Sequence, residues 1–161
     1  MNAALELARR GLGRTFPNPS VGCVLVKRNK LISRGFTQLG GRPHAETMAL
    51  KMAGKLAKAS TAYITLEPCS HDGKTKPCVD QLIKAGVKKV VIPFKDPNPQ
   101  VNGKGIEKLI INKIKVKNNI ERFQAKYLNY GHICRVKYFR PMFTLKLACS
   151  LDGKISFNNK K

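Results

Sequence analysis

Three side chains in the first half of the chain have the types and spacing of a metal site. His44 opens a His-Ala-Glu sequence, and two Pro-Cys pairs place Cys69 and Cys78 further along the chain. Two thiolates and one neutral imidazole balance the charge of Zn²⁺ and leave one position of its tetrahedron open, as in catalytic zinc sites. An ion held in this way acidifies water toward hydroxide. The sequence therefore predicts Zn²⁺ as the cofactor, with these three residues as its ligands.

A carboxylate accompanies the metal donors, because Glu46 follows His44 by two positions. On a helix this spacing keeps the carboxylate near the metal without making it a ligand, and a carboxylate there can act as a general acid and base. The pattern His-x-Glu followed by Pro-Cys-x-x-Cys is typical of zinc nucleobase deaminases. The first half matches, whereas the two cysteines here have eight residues between them. Glu46 is the predicted catalytic residue.

Each part of this pattern also has a simpler interpretation. His-Ala-Glu is a common way to begin a helix, and cysteines that follow proline can be buried thiols. The other cysteines, Cys23, Cys134 and Cys149, have no polar cluster in the sequence around them and are interpreted as structural. Five cysteines and no secretory signal favour free thiols in a reducing, cytoplasmic compartment. The joint occurrence of the three donors, in this order, favours the zinc site.

The donors must be placed by the elements around them. Hydrophobic periodicity predicts helices from residues 44 and 78, each beginning at a donor, with a strand at residues 62–66 between them. The helix dipoles at these N-termini favour thiolate over thiol. The remaining predicted strands are residues 21–26, 31–36, 89–94, 113–116 and 142–147, and the remaining helices are 2–10, 105–111 and 121–133. This alternation indicates an α/β sandwich with a mixed sheet.

The composition describes one very basic globular domain. Among 161 residues there are 31 Lys and Arg and 9 Asp and Glu, which gives a net charge of +22. Such a charge is typical of nucleic-acid binding. The excess is spread evenly, however, with +11 in residues 1–100 and +11 in residues 101–161. Lys is also mixed with Asn and Ile, which have A/T-rich codons, so genome composition is favoured over a nucleic-acid surface. No apolar run approaches the ~18–20 residues of a membrane span.

Three longer segments identify a family resemblance. They are Thr-Leu-Glu-Pro-Cys-Ser-His-Asp-Gly-Lys-Thr-Lys-Pro-Cys at residues 65–78, Thr-Phe-Pro-Asn-Pro-Ser-Val-Gly-Cys-Val at residues 15–24, and Asp-Pro-Asn-Pro-Gln-Val-Asn-Gly-Lys-Gly at residues 96–105. Together they resemble the deaminase domain of the bifunctional riboflavin-biosynthesis deaminase/reductase, a family with an eight-residue cysteine spacer. The resemblance covers residues 1 to about 157.

This resemblance implies a fold and a reaction. The fold is the cytidine-deaminase-like three-layer α/β/α sandwich. The reaction is hydrolysis of the 2-amino group of 2,5-diamino-6-(5-phosphoribosylamino)pyrimidin-4(3H)-one, which yields ammonia and 5-amino-6-(5-phosphoribosylamino)uracil. His44, Cys69 and Cys78 would bind zinc, and Glu46 would move protons. The implied substrate contacts are Asn18, His71, Lys74, Asp96 and Asn98.

The residues themselves are compatible with these substrate contacts and leave alternatives open. Asn18 and Asn98 lie in proline-restricted loops, which hold an amide at low entropic cost for a pyrimidine edge. Lys74 would meet the phosphate as a point charge. His71 follows the metal ligand Cys69 by two positions. It is therefore also suited to a hydrogen bond with a metal ligand rather than with the substrate. For Asp96 and Asn98 the alternative is the capping of turns.

The chain differs from the family at two internal positions and at its N-terminus. Thr37 stands where the family usually has His, so the enzyme either lacks that substrate contact or uses Thr37 in its place. Lys76 stands where the family usually has Pro, two positions before the ligand Cys78. The sequence also begins a few residues later than is typical, which predicts a short first helix.

The largest departure lies at the other end of the chain. Residues 140–155 resemble the opening strand of the family's reductase domain, in which the lysine matching Lys146 belongs to the reductase site. We therefore expect a deaminase domain at residues 1–139, a reductase stub at residues 140–161 and no reductase activity. Apolar side chains such as Phe143 and Leu145 would be exposed. We expect this segment either to dock on a separate reductase chain or a second copy, or to be poorly ordered.

Two other functions compete with the riboflavin-pathway assignment. One is deamination of a nucleobase in tRNA, which the positive charge would suit but which the eight-residue spacer and the Pro-Asn-Pro loops oppose. The other is a catalytically impaired remnant that keeps zinc as a structural ion and binds a separate reductase chain. The expected partner is a small phosphorylated pyrimidine, with neither nucleic acid nor membrane favoured.

Overall fold

A five-stranded mixed sheet forms the middle layer of the molecule. The structure is a computed structural model that describes residues 1–73 and 75–155. The strand order is β2-β1-β3-β4-β5, in which β1 is antiparallel to β2 and β3 while β3, β4 and β5 are parallel. The strands are β1 Gly22–Lys27, β2 Lys30–Phe36, β3 Thr61–Ile64, β4 Lys89–Val91 and β5 Lys115–Lys117.

Six helices cover the two faces of this sheet. They are α1 Asn2–Arg9, α2 Ala45–Ala53, α3 Cys78–Lys84, α4 Lys104–Ile111, α5 Arg122–Leu128 and α6 Tyr130–Tyr138. Helix α2 contacts β1 and β2, α3 packs beside α2, and α4 packs beside α3. Helix α1 packs on β1 and β2 and contacts α5. None of the helices in the described part of the chain has the length and apolar character to cross a membrane.

The two faces of the sheet are separated by the alternation of side chains along each strand. In β1, Leu25 belongs to the main core with Ala49 of α2, and its neighbour Val24 packs with Ala4 and Leu7 of α1. Alternate residues of a strand point to opposite faces, so both faces are covered by helices. The predicted three-layer α/β/α arrangement with a mixed sheet is confirmed.

Three predicted elements differ from the structure. The helix predicted from His44 ends at Ala53 and continues as a 3-10 turn, Gly54–Ala57. The helix predicted over residues 121–133 is two helices, α5 and α6, divided at Asn129. The strand predicted at residues 142–147 is wrong, since described residues beyond Tyr138 form neither helix nor strand. A strand needs a neighbour for its backbone groups, and residues 142–147 pair with no other strand among residues 1–73 and 75–155.

One close approach fixes the start of α2 against the sheet. A Cβ atom on Gly35 of β2 would lie 2.4 Å from the Ala45 carbonyl oxygen and 2.8 Å from the Ala49 nitrogen. The absence of a side chain at Gly35 therefore brings the backbone of α2 directly onto β2. His44 immediately precedes this contact, so the same packing places the first predicted metal donor.

Candidate active site

The three predicted metal donors converge from the N-termini of two helices and from the loop after β3. His44 is the N-cap of α2, Cys78 is the first residue of α3, and Cys69 lies in the loop after β3. Their donor atoms all lie within 4.8 Å of one another. His44 Nδ1 is 3.3 Å from Cys78 Sγ and 3.7 Å from Cys69 Sγ. A tetrahedral zinc ion with ordinary ligand distances has N···S edges of ~3.6 Å, so the donors fit Zn²⁺ in type and spacing.

The surroundings of the cysteines favour a thiolate, and the predicted placement of His44 and Cys78 at helix N-termini is confirmed. The Cys78 backbone N–H donates to Cys69 Sγ over 3.4 Å at the start of α3. Hydrogen bonds from the Cys78 thiol and from His44 lower the pKa of Cys69 to about 4. The same bond raises the pKa of Cys78, because that thiol keeps the proton it shares with Cys69. The surroundings of Cys69 thus favour the thiolate form that a cation would bind.

Glu46 lies buried in the first turn of α2, beside the donors but outside the donor group. It is 4% exposed, and the atoms that could jointly hold a metal are those of His44, Cys69 and Cys78. Burial, with the charge of Cys69 as a second cause, raises the pKa of Glu46 to about 6. A carboxyl group in this environment can both accept and release a proton near neutral pH.

Asn18 is brought to the metal donors by the proline-containing loop before β1. Its Nδ2 atom donates to the Gly41 carbonyl oxygen over 2.8 Å and lies 3.4 Å from His44 Nε2. Gly41 has φ +83°, and a Cβ atom there would lie 2.7 Å from Asn18 Nδ2. Glycine is thus required at position 41 both by its backbone conformation and by the closeness of Asn18.

Asp96 and Asn98 lie together in the loop after β4, where each caps a turn. Asp96 Oδ1 accepts from the Asn98 N–H over 2.8 Å and from His132 Nε2 over 3.0 Å, and Asn98 Oδ1 accepts from the Gln100 N–H over 3.0 Å. The turn-capping alternative is thereby confirmed. Asp96 Oδ2 and Asn98 Nδ2 make no hydrogen bond with residues 1–73 or 75–155, so each side chain has a second polar atom that a ligand can use.

A groove of about 1250 Å³ connects the two asparagine loops. Asn18, Asn98 and His132 all line it. Its wall also carries Arg9 and Arg135, and no acidic side chain is among its lining residues. The structure therefore places the two predicted amides beside a common, positively charged space.

Of the remaining predicted substrate contacts, the structure describes Thr37 and His71, and neither lines this groove. Thr37 is 2% exposed, and its Oγ1 atom accepts from the Val21 N–H over 3.0 Å and donates to the Val21 carbonyl oxygen over 3.4 Å. Its hydroxyl is thus used within the backbone of the fold. His71 is exposed in the cysteine loop. Lys74 lies outside the described residues.

Three further residues of the site were not predicted. Glu67 is buried next to Cys69 and accepts four backbone N–H groups. His132 contacts Asp96, and Arg42 donates to Thr75 Oγ1 over 2.5 Å across the cysteine loop. A carboxylate between apolar residues at a strand end was a usable signal for Glu67, whereas no local pattern marks His132 or Arg42.

The family model described as the cytidine and deoxycytidylate deaminase zinc-binding region matches residues 1–93. That range contains all three donors and Glu46. The chain belongs to this deaminase family. Its cofactor is zinc, and the His44, Cys69 and Cys78 group is positioned to hold the ion.

Known relatives refine the position of the chain within the deaminase family. The riboflavin biosynthesis protein RibD of Escherichia coli (strain K12) is 50% identical over 154 residues, which are 96% of this chain and 42% of that protein. RibD of Aquifex aeolicus is 46% identical over 156 residues, 97% of this chain and 44% of that protein. The deaminase chain thus spans less than half of the length of these relatives. The resemblance to the riboflavin-pathway family is confirmed.

Solved structures confirm the fold of this deaminase chain. A diaminohydroxyphosphoribosylaminopyrimidine deaminase/5-amino-6-(5-phosphoribosylamino)uracil reductase from Thermotoga maritima has a TM-score of 0.89 and 45% identity, covering 97% of this chain and 45% of that one. RibD of Acinetobacter baumannii has a TM-score of 0.87 and 50% identity, covering 94% of this chain and 43% of that one.

Proposed function

We propose that the chain catalyses zinc-dependent hydrolytic deamination of 2,5-diamino-6-(5-phosphoribosylamino)pyrimidin-4(3H)-one to 5-amino-6-(5-phosphoribosylamino)uracil. The observation that carries the proposal is the buried Glu46 carboxyl beside a His/Cys/Cys group with zinc geometry. The substrate is supported by the Thermotoga maritima protein, whose name states this deaminase activity and which matches 97% of the chain.

The chain's own residues perform the proton transfers of this reaction. His44, Cys69 and Cys78 would hold the zinc ion, which would supply the Lewis acidity that makes water a nucleophile near neutral pH. The Glu46 carboxylate takes a proton from the attacking water and delivers a proton to the exocyclic 2-amino nitrogen. The ring nitrogen takes up the second water proton, the C–N bond breaks, ammonia leaves with the bonding electrons, and the ring carbon retains the water oxygen as a carbonyl.

The polar atoms left free in the loop of Asp96 and Asn98 are suited to a pyrimidine with an anionic tail. Asn98 Nδ2 and Asp96 Oδ2 offer one donor and one acceptor for the ring substituents, and Asn18 adds a further amide beside His44. We propose these three as substrate contacts, with Lys74 toward the phosphate. His71 is included as a contact on the resemblance alone. Thr37 is not included, because its hydroxyl is bonded to Val21.

The test is ammonia release from the diaminopyrimidine phosphate by the zinc-loaded protein. Glu46→Gln should abolish turnover while keeping about one zinc ion per chain, because Glu46 lies outside the donor group. Glu107→Gln, at an exposed position of α4, removes the same charge and should behave as wild type. Activity on tRNA but not on the pyrimidine would refute the proposal, and bound zinc without turnover on either would favour the impaired remnant.

We also propose that the deaminase domain comprises residues 1–139 and that residues 140–161 correspond to the opening strand of a reductase domain, with apolar side chains that are covered by reductase residues or by a second copy. Helix α6 ends at Tyr138, and beyond it Phe143 is 84% exposed and Leu145 82% exposed. Deletion of residues 141–161 tests the covering. Unchanged solubility and unchanged mass by light scattering, alone and mixed with the reductase, would contradict it.

A further inference from the structure

Glu67 receives four hydrogen bonds from the backbone of a different part of the chain. Its Oε2 atom accepts from the N–H groups of Asp96 (3.0 Å) and Gly103 (2.9 Å), and its Oε1 atom accepts from those of Gly105 (3.0 Å) and Ile106 (3.2 Å). The residue is 4% exposed. Both oxygens of one buried carboxylate are thus fully used by backbone donors.

These bonds connect the two loops on which the proposed reaction depends. Glu67 precedes the metal donor Cys69 by two positions, with Pro68 between them. Its partner Asp96 begins the loop that carries Asn98, and the other three partners start α4. One side chain therefore sets the distance between the zinc-donor loop and the loop of substrate contacts.

The two loops approach each other so closely that there is no room for a side chain at Gly105. A Cβ atom on Gly105 would lie 2.4 Å from the Pro68 carbonyl oxygen and 3.1 Å from Glu67 Oε1. Gly103, the N-cap of α4, has no side chain with which to cap the helix. The carboxylate of Glu67 performs that capping from the other loop and so couples the helix to the metal site.

We propose that Glu67 is a positioning residue that holds the loop of Asp96 and Asn98 in register with the zinc-donor loop. Without its two oxygens, four N–H groups have no acceptor, three of them buried, and buried donors do not stay unpaired. The loop must then move toward other acceptors or water. The catalytic consequence rests on the proposed function, whereas the structural consequence does not.

Glu67→Gln tests this role with little change in shape. The amide keeps one acceptor oxygen and turns an NH₂ group against two of the four N–H donors. We expect backbone amide exchange at Asp96, Gly103, Gly105 and Ile106 to accelerate at least about tenfold, with zinc content unchanged. In the ammonia assay kcat/KM should fall about 10²-fold, mainly through KM, the size expected for a displacement near 1 Å.

Glu107→Gln is the matched control, since it removes the same charge from the exposed side of α4. Gly105→Ala is the second variant, because it separates the same loops by a steric clash while leaving Glu67 intact. It should reproduce the rise in KM even if Glu67→Gln does not fold.

Three results would overturn the proposal. They are unchanged exchange at the four amides, acceleration spread equally over the sheet, and faster exchange confined to α4 with an unchanged KM. The last of these would leave Glu67 as a helix cap only. If the wild-type protein releases no ammonia from the pyrimidine, the proposed function fails, and the exchange pattern still decides the role of Glu67.

Discussion

Replacement of Gly35 by alanine should weaken zinc binding even though Gly35 touches no metal donor. The residue lies on β2, where its missing side chain lets the first turn of α2 contact the sheet. An added Cβ atom would lie 2.4 Å from the Ala45 carbonyl oxygen and 2.8 Å from Met48 Cβ, against an ordinary contact distance of at least 3.4 Å. The start of α2 must therefore move outward by about 1 Å, because interiors are close-packed.

A movement of about 1 Å at the start of α2 would exceed the tolerance of the zinc–ligand distances. His44 directly precedes Ala45, and ligand distances in zinc sites vary by only about 0.2 Å. We expect the zinc affinity to fall about 10–100-fold, the range found when the support of a ligand is disturbed. In free energy this is about 1.4–2.7 kcal/mol of zinc binding. The apoprotein should lose a further ~1–3 kcal/mol of unfolding free energy through overpacking.

Competition of the protein with a chromophoric chelator measures the zinc Kd, and urea unfolding with and without zinc measures the metal-dependent stability. Gly131→Ala is the control, because a Cβ atom there would meet nothing closer than 3.9 Å. A folded Gly35→Ala protein with the zinc Kd of wild type would refute the reasoning. So would an equal loss of stability in zinc and in chelator, since the strain would then not reach His44.

Three shorter predictions address the same site. A strong chelator should lower the melting temperature of the wild-type protein, because metal-binding energy is folding energy; identical melting curves in zinc and chelator would contradict the zinc site. His132→Phe removes the 3.0 Å hydrogen bond to Asp96 Oδ1 and should reduce the unfolding free energy by about 1 kcal/mol and raise KM for the pyrimidine; an unchanged KM would separate Asp96 from substrate binding. Gly41→Ala, at φ +83°, must displace Asn18 and should raise KM while costing about 1–3 kcal/mol of stability. Gly13→Ala has a similar φ of +75° but no neighbour within 4 Å, so it should destabilise without changing KM.

Much of the fold follows from local sequence patterns. The strands predicted at residues 21–26 and 31–36 are β1 and β2, and the pairing of Lys27 with Lys30 joins them as a hairpin. The predicted strand at residues 142–147 shows the limit of such patterns. Its alternation of apolar and polar residues is real, but a strand exists only where a neighbouring strand satisfies its backbone, and periodicity contains no information about neighbours.

The candidate site likewise contains residues that the sequence predicts and residues that it does not. His44, Cys69, Cys78 and Glu46 were predicted because their side-chain chemistry is specific and their order is informative. His132 was not, because a histidine on a helix acquires its role only from the loop that packs against it.

The residue types and their order by themselves determined the chemistry available to this protein, namely two thiolates, one imidazole and a carboxylate suited to zinc and proton transfer. Only the tertiary structure decided that this chemistry is assembled. His44 and Cys78 are 34 positions apart, yet their donor atoms lie at 3.3 Å. The same folding buries Glu46 and lets Glu67 join two loops. The physical reason is that a donor's identity belongs to one residue, whereas distances, burial and pKa values depend on atoms from distant parts of the chain.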